Sequence, residues 1–582
     1  MGIQDKISTI CSAAITVGSH QSSDYFQAIR TLVNERNAAA EEDRPTWQEA
    51  IDNVYTLLFD EITTSTRPPQ SEIKFGTSGW RGKLGKDISC SSVAFVTAAI
   101  VQMYMEAENT PSIQQALGVK TFSQLQQRGC VVGFDNRFGG PQLAMAAMRV
   151  LAKNGIRLFY AGEATTGALS ASVLRRNAAC SLNMTPSHNP LEYGGVKYNA
   201  ADAGPAEAIL TETITRLARE LVASGTSPLI PDTLSGEIAD LPEVEPEDAL
   251  TSWQELVRAN HHYHGIAYDR LLEQLAKRDE VVLCVDCVHG ASRSHIRRLL
   301  ANPPADRLLL LRDTADPTFG GVAPEPSSNN LQPVLQALAT RKEPLKIGAV
   351  IDPDGDRIRF TDGEVEISMN QFGAMAYHFL HEVKGKQGIV AKTVASSNLA
   401  NALARQMHEE IFEPRVGFKE FKPVIGKALV TFEESDGISI IGHTPEKDAY
   451  IGLILALDMV LSLDKPLGVY LTEIEEKFGH YFPDRDGVLV SQQGRELAQS
   501  LEKLSKYSEG VDVNVGGTIR TIAEIIDIDG RKMIFDDGSW IMIRPSGTEP
   551  KVRFYVEARN RDDTLLLVKT AKSMLAEIGL LP

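Results

Sequence analysis

The sequence predicts an α/β protein of several domains: three units in which strand and helix patterns alternate, then a smaller C-terminal α+β domain. Two observations carry this. Strand-like CVVGFD (130–135) leads into helix-like QLAMAAMRVLAKNG (142–155) and strand-like IRLFYAG (156–162), and the order recurs as VVLCVD (281–286), SRSHIRRLLA (292–301) and RLLLLR (307–312). Such alternation indicates layered, parallel α/β units. The tail instead strings strand-like segments together, TIRTIAEIIDIDG (518–530), KMIFDDG (532–538), SWIMIRP (539–545) and VRFYVEA (552–558), before one closing helix. At 582 residues and 43% hydrophobic composition the chain can bury several cores.

In chain order, residues 1–70 read as an amphipathic helical extension ending near Arg67-Pro68-Pro69. The units expected after it are 71–245, 246–366 and 367–465, with 466–582 as the fourth domain. Pro- and acid-rich LPEVEPED (241–248) marks one seam and LDKP (463–466) another. Each of the first three units carries a strand followed by a chemistry-bearing loop, as diverged internal repeats would.

The most informative loop is in AVIDPDGDRIRF (349–360), where Asp352, Asp354 and Asp356 alternate with Pro353 and Gly355. An extended backbone sends every second side chain the same way, so three carboxylates converge on one hard cation, for which magnesium is the natural guest. An EF-hand starting at Asp352 would need Gly and Glu where Arg357 and Gly363 stand. A dehalogenase-type phosphatase would use Asp352 as nucleophile, but Asp356 occupies a place where that family has Thr or Val.

A second loop, MTPSHNPLEYGGVKYN (184–199), offers Ser187 as a nucleophile, with His188 and Lys197 as titratable neighbours and Pro186 and Pro190 stiffening the turn. In TFEESDG (431–437), Glu433 and Ser435 alternate onto one side, a carboxylate and a hydroxyl suited to sugar hydroxyls. In RPSGTEPK (544–551), Arg544, Lys551, Ser546, Thr548 and the Gly547 backbone have the composition of a phosphate cradle. Each loop by itself has the composition of an ordinary polar turn.

Together and in this order, TPSHNP, DPDGDR, FEESDG and RPSGTEP resemble the α-D-phosphohexomutase superfamily, from about Lys74 to the C-terminus, with KFGTSGWRG (74–82), GFDNR (133–137) and VGFK (416–419) adding to the match. The resemblance implies mixed sheets in three related α/β domains and a smaller fourth domain, arranged so that the four loops meet in a central active-site cleft. It implies that Ser187 carries a phosphoryl group and that Asp352, Asp354 and Asp356 hold Mg2+ with a phosphoserine oxygen. It places Arg81, His188, Lys197 and Arg357 near the transferring group. Glu433 and Ser435 would grip the sugar's 3- and 4-hydroxyls, Lys392 and Lys419 would bind ligand, and Arg544, Ser546, Gly547 and Thr548 would hold the phosphate that is not being transferred. The implied ligands are hexose phosphates and a sugar 1,6-bisphosphate intermediate, on a monomer or homodimer.

Phe432 departs from the family, which most often has Gly before the paired glutamates. The E-E-S-D-G string and GGVKYNAADAGPA (194–206) are nonetheless more similar to phosphoglucomutases than to enzymes that also accept mannose phosphates.

The remaining composition excludes other classes. A net charge of −17, from 76 Asp and Glu against 59 Lys and Arg, argues against nucleic acid or an anionic membrane as partner. Six scattered cysteines do not make a disulfide framework and favour a reducing cytosol, and Cys284 and Cys287, a lone C-x-x-C in an apolar run, read as strand packing. Lys6 stands where a myristoylation signal needs Ser or Thr, no apolar stretch approaches the roughly 20 residues of a membrane span, and HHYH (261–264) reads as surface.

Overall fold

A computed structural model describes residues 2–76, 79–546 and 551–581. The extension expected over 1–70 is not one helix but three, Ile3–Ala14, Tyr25–Ala38 and Arg44–Thr64. Asp24 starts the second by accepting the Gln27 amide, which satisfies one of the N–H groups a helix start leaves without an intrahelical partner. The apolar faces of these helices do not form a separate body. Ile29, Leu32, Ile51, Val54, Leu58 and Ile62 share one core with Val93, Ile100, Val132 and Met184 of the first α/β unit.

The first sheet has seven strands in the order 75–76, 79–83, 193–199, 180–184, 130–134, 158–163, 244–246. The second has five (366–367, 358–361, 345–351, 281–286, 308–311) and the third four (411–412, 389–392, 428–433, 437–440). All three are mixed, and for the same reason. In each, the strand that delivers the active loop lies parallel to an inner strand on one side and antiparallel, on the other, to the strand that returns from the loop. Cys180–Met184 lies between Cys130–Phe134 and Tyr193–Asn199, Leu345–Ile351 between Val281–Asp286 and Ile358–Thr361, and Ala428–Glu433 between Ile389–Lys392 and Gly437–Ile440. The parallel pairs expected from strand–helix alternation are present, and the antiparallel return strands make the sheets mixed, as the resemblance implied. A tight return from the loop can only pair antiparallel.

The fourth domain is a six-stranded antiparallel sheet with the helix Arg561–Glu577 on it, around its own core. The seam before it does not fall at Leu463–Pro466. Helix Leu467–Phe478 sends Leu467, Leu471 and Ile474 into the core shared by the three α/β units, so the third unit runs on to Phe478. A small apolar contact of Val394 and Ala395 with Trp540, Met542 and Tyr555 joins the last two domains.

One helix among the described residues, Cys90–Ala107, is apolar and long enough to cross a membrane by length and composition. It lies mostly buried in the first unit's core, between the helices Gly140–Lys153 and Ala208–Ser224. Cys284 and Cys287 are buried free thiols, each pushed up to about 12 by burial, which suits packing rather than ligation. His264 of HHYH is buried, not at the surface, where its Nδ1 accepts the Ile266 amide.

Candidate active site

Ser187 sits on the turn that leaves Cys180–Met184 and is buried in a left-handed conformation with φ 56°, a strained backbone for a residue with a Cβ. Hydrogen bonds hold it there. The Ser187 amide donates to Thr185 Oγ1 at 2.8 Å, and Thr185 in turn donates to Asp135 at 2.7 Å. From the other side the Arg137 guanidinium donates to the carbonyls of Ser187 (2.6 Å), Asn189 (2.5 Å) and Pro190 (2.7 Å). The serine Oγ that results is 3.0 Å from Asp352 Oδ2 and 3.3 Å from His188 Nδ1.

The aspartate loop is just as constrained. Gly355 turns at φ 64°, and a Cβ there would lie 2.4 Å from Thr165 Cγ2, so the close approach of the first two units requires glycine. The amides of Asp356 and Arg357 both donate to Asp352 Oδ1 at 3.0 Å. Lys197 Nζ lies 2.5 Å from Asp354 Oδ2 and 2.6 Å from Asp356 Oδ2. Asp354 Oδ1 and Asp356 Oδ1 remain buried without a hydrogen-bond partner, and one ligand atom from each of the three aspartates falls within 4.8 Å of the others. All-oxygen, convergent, buried donors with unpaired lone pairs fit a hard divalent cation, which would rest on Asp352, Asp354, Asp356 and the Ser187 side chain.

The charges around this point are unusually confined. Burial and the two neighbouring aspartates push Asp352 well above the ordinary carboxylate range. For Asp356 burial is outweighed by Lys197, Lys447 and Arg357, which hold it well below that range. Burial alone would lower Lys197, but Asp354 and Asp356 raise it, so it is a fixed cation rather than a base. Burial, then Arg357 and Arg81, depress His188 well below the usual histidine value and keep the ring neutral. Arg81, held by Asn189 Oδ1 at 2.5 Å, is pushed down to about 10 by burial and by Arg357.

The sugar loop is tied directly to the aspartate loop. Arg357 and Gly437 form a β-bridge, and the Ile358 amide donates to the Asp436 carbonyl at 2.9 Å. Strand alternation turns Phe432 into the core against Gly373, where a Cβ would lie 2.4 Å from the Phe432 ring. That glycine accommodates the departure from the family pattern, and Glu433 faces the opposite way. Ser435 Oγ is 3.5 Å from Glu433 Oε2. Glu433 is raised by burial against the pull of Lys447.

The remaining sites divide. Arg544 lies 2.9 Å from Asp529, and the Ser546 amide donates to the Lys551 carbonyl at 2.8 Å. Gly547 and Thr548 lie outside the described residues. Lys419 is half-buried beside Phe418, whose ring faces Lys447 Nζ at 5.5 Å. Lys392 is already engaged within the protein. It is fully buried, paired with Glu413 and donating to the Ser396 carbonyl at 3.1 Å.

Sequence reasoning also missed two residues. Arg137, in the GFDNR string, is the clamp on the serine backbone. Lys447 stands 3.5 Å from Asp356 Oδ2 and is raised by Asp356, Glu446 and Glu433 against the effect of burial. GFDNR was a signal for the first; a lone lysine before a helix gives none for the second.

Comparison with known proteins agrees with this geometry. The four domain models described as Phosphoglucomutase/phosphomannomutase match in order: alpha/beta/alpha domain I at residues 72–223, II at 269–365, III at 368–478, and the C-terminal domain at 493–571. The chain is 23% identical over 567 residues to phosphoglucomutase 1 of Drosophila melanogaster, covering 89% of this chain and 96% of that one. Among solved structures, a Thermus thermophilus protein described provisionally as a phosphomannomutase shares 24% identity at TM-score 0.67, covering 87% of this chain and 99% of that one. The open form of the Paramecium exocytosis-sensitive phosphoprotein parafusin, a phosphoglucomutase, shares 19% at TM-score 0.68 over 89% and 97%. With all four domain models matched in sequence order, the chain belongs to the phosphoglucomutase/phosphomannomutase family of the α-D-phosphohexomutase superfamily and is a mutase of the isomerase class.

Proposed function

We propose that this enzyme interconverts glucose 1-phosphate and glucose 6-phosphate through a phosphoserine at Ser187 and a glucose 1,6-bisphosphate intermediate. One observation carries the reading: a strained, clamped serine hydroxyl 3.0 Å from a buried triad of aspartates. The free sugar hydroxyl attacks the phosphorus of phosphoserine 187, the P–Oγ bond breaks, and the hydroxyl proton passes by way of the neutral His188 Nδ1, 3.3 Å from Oγ, to the departing Ser187 oxygen. The bisphosphate then turns over, the Ser187 hydroxyl attacks its other phosphate, and its proton passes back by way of His188 Nδ1 to the departing sugar oxygen. Mg2+ on Asp352, Asp354 and Asp356 would offset charge on the transferring group. Arg81, Lys197 and Arg357 supply fixed positive charge around it, Glu433 and Ser435 orient the sugar, and Arg544 with its loop holds the distal phosphate. His188 needs little basicity, because a loose transition state asks little of a base.

The four domain boundaries that accompany this function are 71–245, 246–366, 367–478 and 479–582. Six free cysteines, five of them buried, suit a reducing cytosol. Phosphopeptide mapping of purified protein tests the relay, with phosphate expected on the Ser187 peptide. Turnover of glucose 1-phosphate and mannose 1-phosphate side by side tests the sugar.

A further inference from the structure

Helix Tyr25–Ala38 lies outside every matched family domain, yet it touches the catalytic serine's support from two sides. Arg30 forms an ion pair with Glu192, in the loop that carries Ser187, two residues beyond Pro190, whose carbonyl the Arg137 guanidinium clamps together with those of Ser187 and Asn189. One and two turns further along the helix, Val33 packs on Gly321 and Asn37 Nδ2 donates to the Gly320 carbonyl at 2.9 Å. Those glycines follow Phe319, whose ring lies 4.5 Å from the same guanidinium. The helix thus fastens both the loop that Arg137 clamps and the segment whose aromatic ring lies against Arg137.

We propose that this helix is a positioning element of the phosphoryl relay, with Arg30 and Asn37 acting through Glu192 and Phe319 on Arg137 and the loop it clamps, and so on the Ser187 backbone. Without Arg30, the Glu192 carboxylate, 15% exposed, loses its ion-pair partner and the serine loop loses that anchor to the helix. The Arg30 side chain is 49% exposed, so its loss costs the fold little while it loosens the loop. The inference rests on the mutase reading.

The experiment uses the full chain and measures kcat, KM for glucose 1-phosphate, and Tm. Arg30→Gln and Asn37→Ala should each lower kcat about fivefold, the factor that corresponds to roughly 1 kcal/mol, with KM within about twofold and Tm within about 2 °C. Arg30→Lys should recover at least half of the loss, and Arg30→Gln with Glu192→Gln should be no slower than the slower single variant. Lys6→Gln, which breaks an exposed pair with Glu35 elsewhere in the extension, should leave kcat unchanged. Wild-type kcat in both Arg30→Gln and Asn37→Ala, or an equal loss in Lys6→Gln, overturns the positioning role alone. A wild-type enzyme that turns over no hexose 1-phosphate overturns the mutase reading, and this inference with it.

Discussion

Replacing Lys197 with Met separates the roles of the built-in cation and the bound one. Its Nζ lies 2.5 Å and 2.6 Å from Oδ2 of Asp354 and Asp356, and both carboxylates are buried, while their Oδ1 atoms have no hydrogen-bond partner. Met keeps the length of the side chain and removes only the charge. Removing one partner from a buried ion pair costs about 3–5 kcal/mol, because the other charges stay buried and uncompensated. For a domain of 150–250 residues, each kcal/mol moves Tm by roughly 2–4 °C, so the transition of the first two units should fall by about 6–20 °C in chelator. Mg2+ should recover part of this, and its Tm increment should exceed that of wild type, since the variant's carboxylates lack the lysine. The rate should fall at least about a hundredfold even with saturating Mg2+, as when one preorganised electrostatic contact is lost. The assay is differential scanning fluorimetry with EDTA and with Mg2+, alongside glucose 1-phosphate turnover. An unchanged Tm in chelator, or a Mg2+ increment no larger than that of wild type, would refute the claim that Lys197 neutralises the triad.

Ser187→Ala should abolish isomerisation while preserving Tm and ligand affinity, since only the relay atom is lost; near-normal turnover rules out the phosphoserine route. Asp354→Asn should weaken Mg2+ binding in a calorimetric titration and cut kcat about a hundredfold or more, and full activity in chelator contradicts it. Lys532, buried 4.1 Å from the Trp540 ring beside Lys392, is pushed down to about 7 by burial and by that neighbouring charge. Its folded pKa lies below the unfolded value near 10.4, so between about pH 7 and 10 the unfolded chain binds the extra proton and stability rises with pH. Relative to Lys532→Met, wild-type unfolding free energy should gain up to about 1.4 kcal/mol per pH unit in that window. Identical pH profiles for the two proteins would dismiss the buried-amine account.

Local chemistry carries far in this sequence. The D-x-D-x-D spacing announces its own convergence because alternation on an extended backbone is a local property, and Ser187 is flanked by residues that only a rigid turn would gather. What could not be read is what depends on distant packing. Lys447 reaches Asp356 only because helix Ala449–Leu463 docks its start onto the Gly355 carbonyl, through the Ala449 amide at 3.0 Å. Lys392 looked like a ligand lysine, but Glu413, far from it in sequence, claims it. The mixed character of the sheets is legible from the four loop motifs and the family they resemble, whereas the register of each return strand is set by packing that no single strand pattern reveals. The break between the first two helices of residues 1–70 turns on the cap at Asp24, a position that polar composition alone does not distinguish.

Sugar choice is the least local property of all. Glu433 and Ser435 should read the equatorial 3- and 4-hydroxyls, which glucose and mannose share, so these residues enforce a hexose without separating the 2-epimers. Glu433 hangs from a strand whose neighbour Phe432 is locked against Gly373, so the carboxylate is presented from a rigid base. Glu433→Gln should therefore lower kcat/KM for glucose 1-phosphate and mannose 1-phosphate alike, by about 10- to 150-fold, as loss of a charge-assisted hydrogen bond worth about 1.5–3 kcal/mol implies. The two substrates are compared on both proteins. A loss confined to one epimer defeats the shared-hydroxyl argument, whereas a wild-type preference for mannose 1-phosphate leaves that argument standing and removes the glucose assignment. Discrimination at the 2-position must then come from groups other than the Glu433–Ser435 pair, since the hydroxyls this pair reads are common to both epimers.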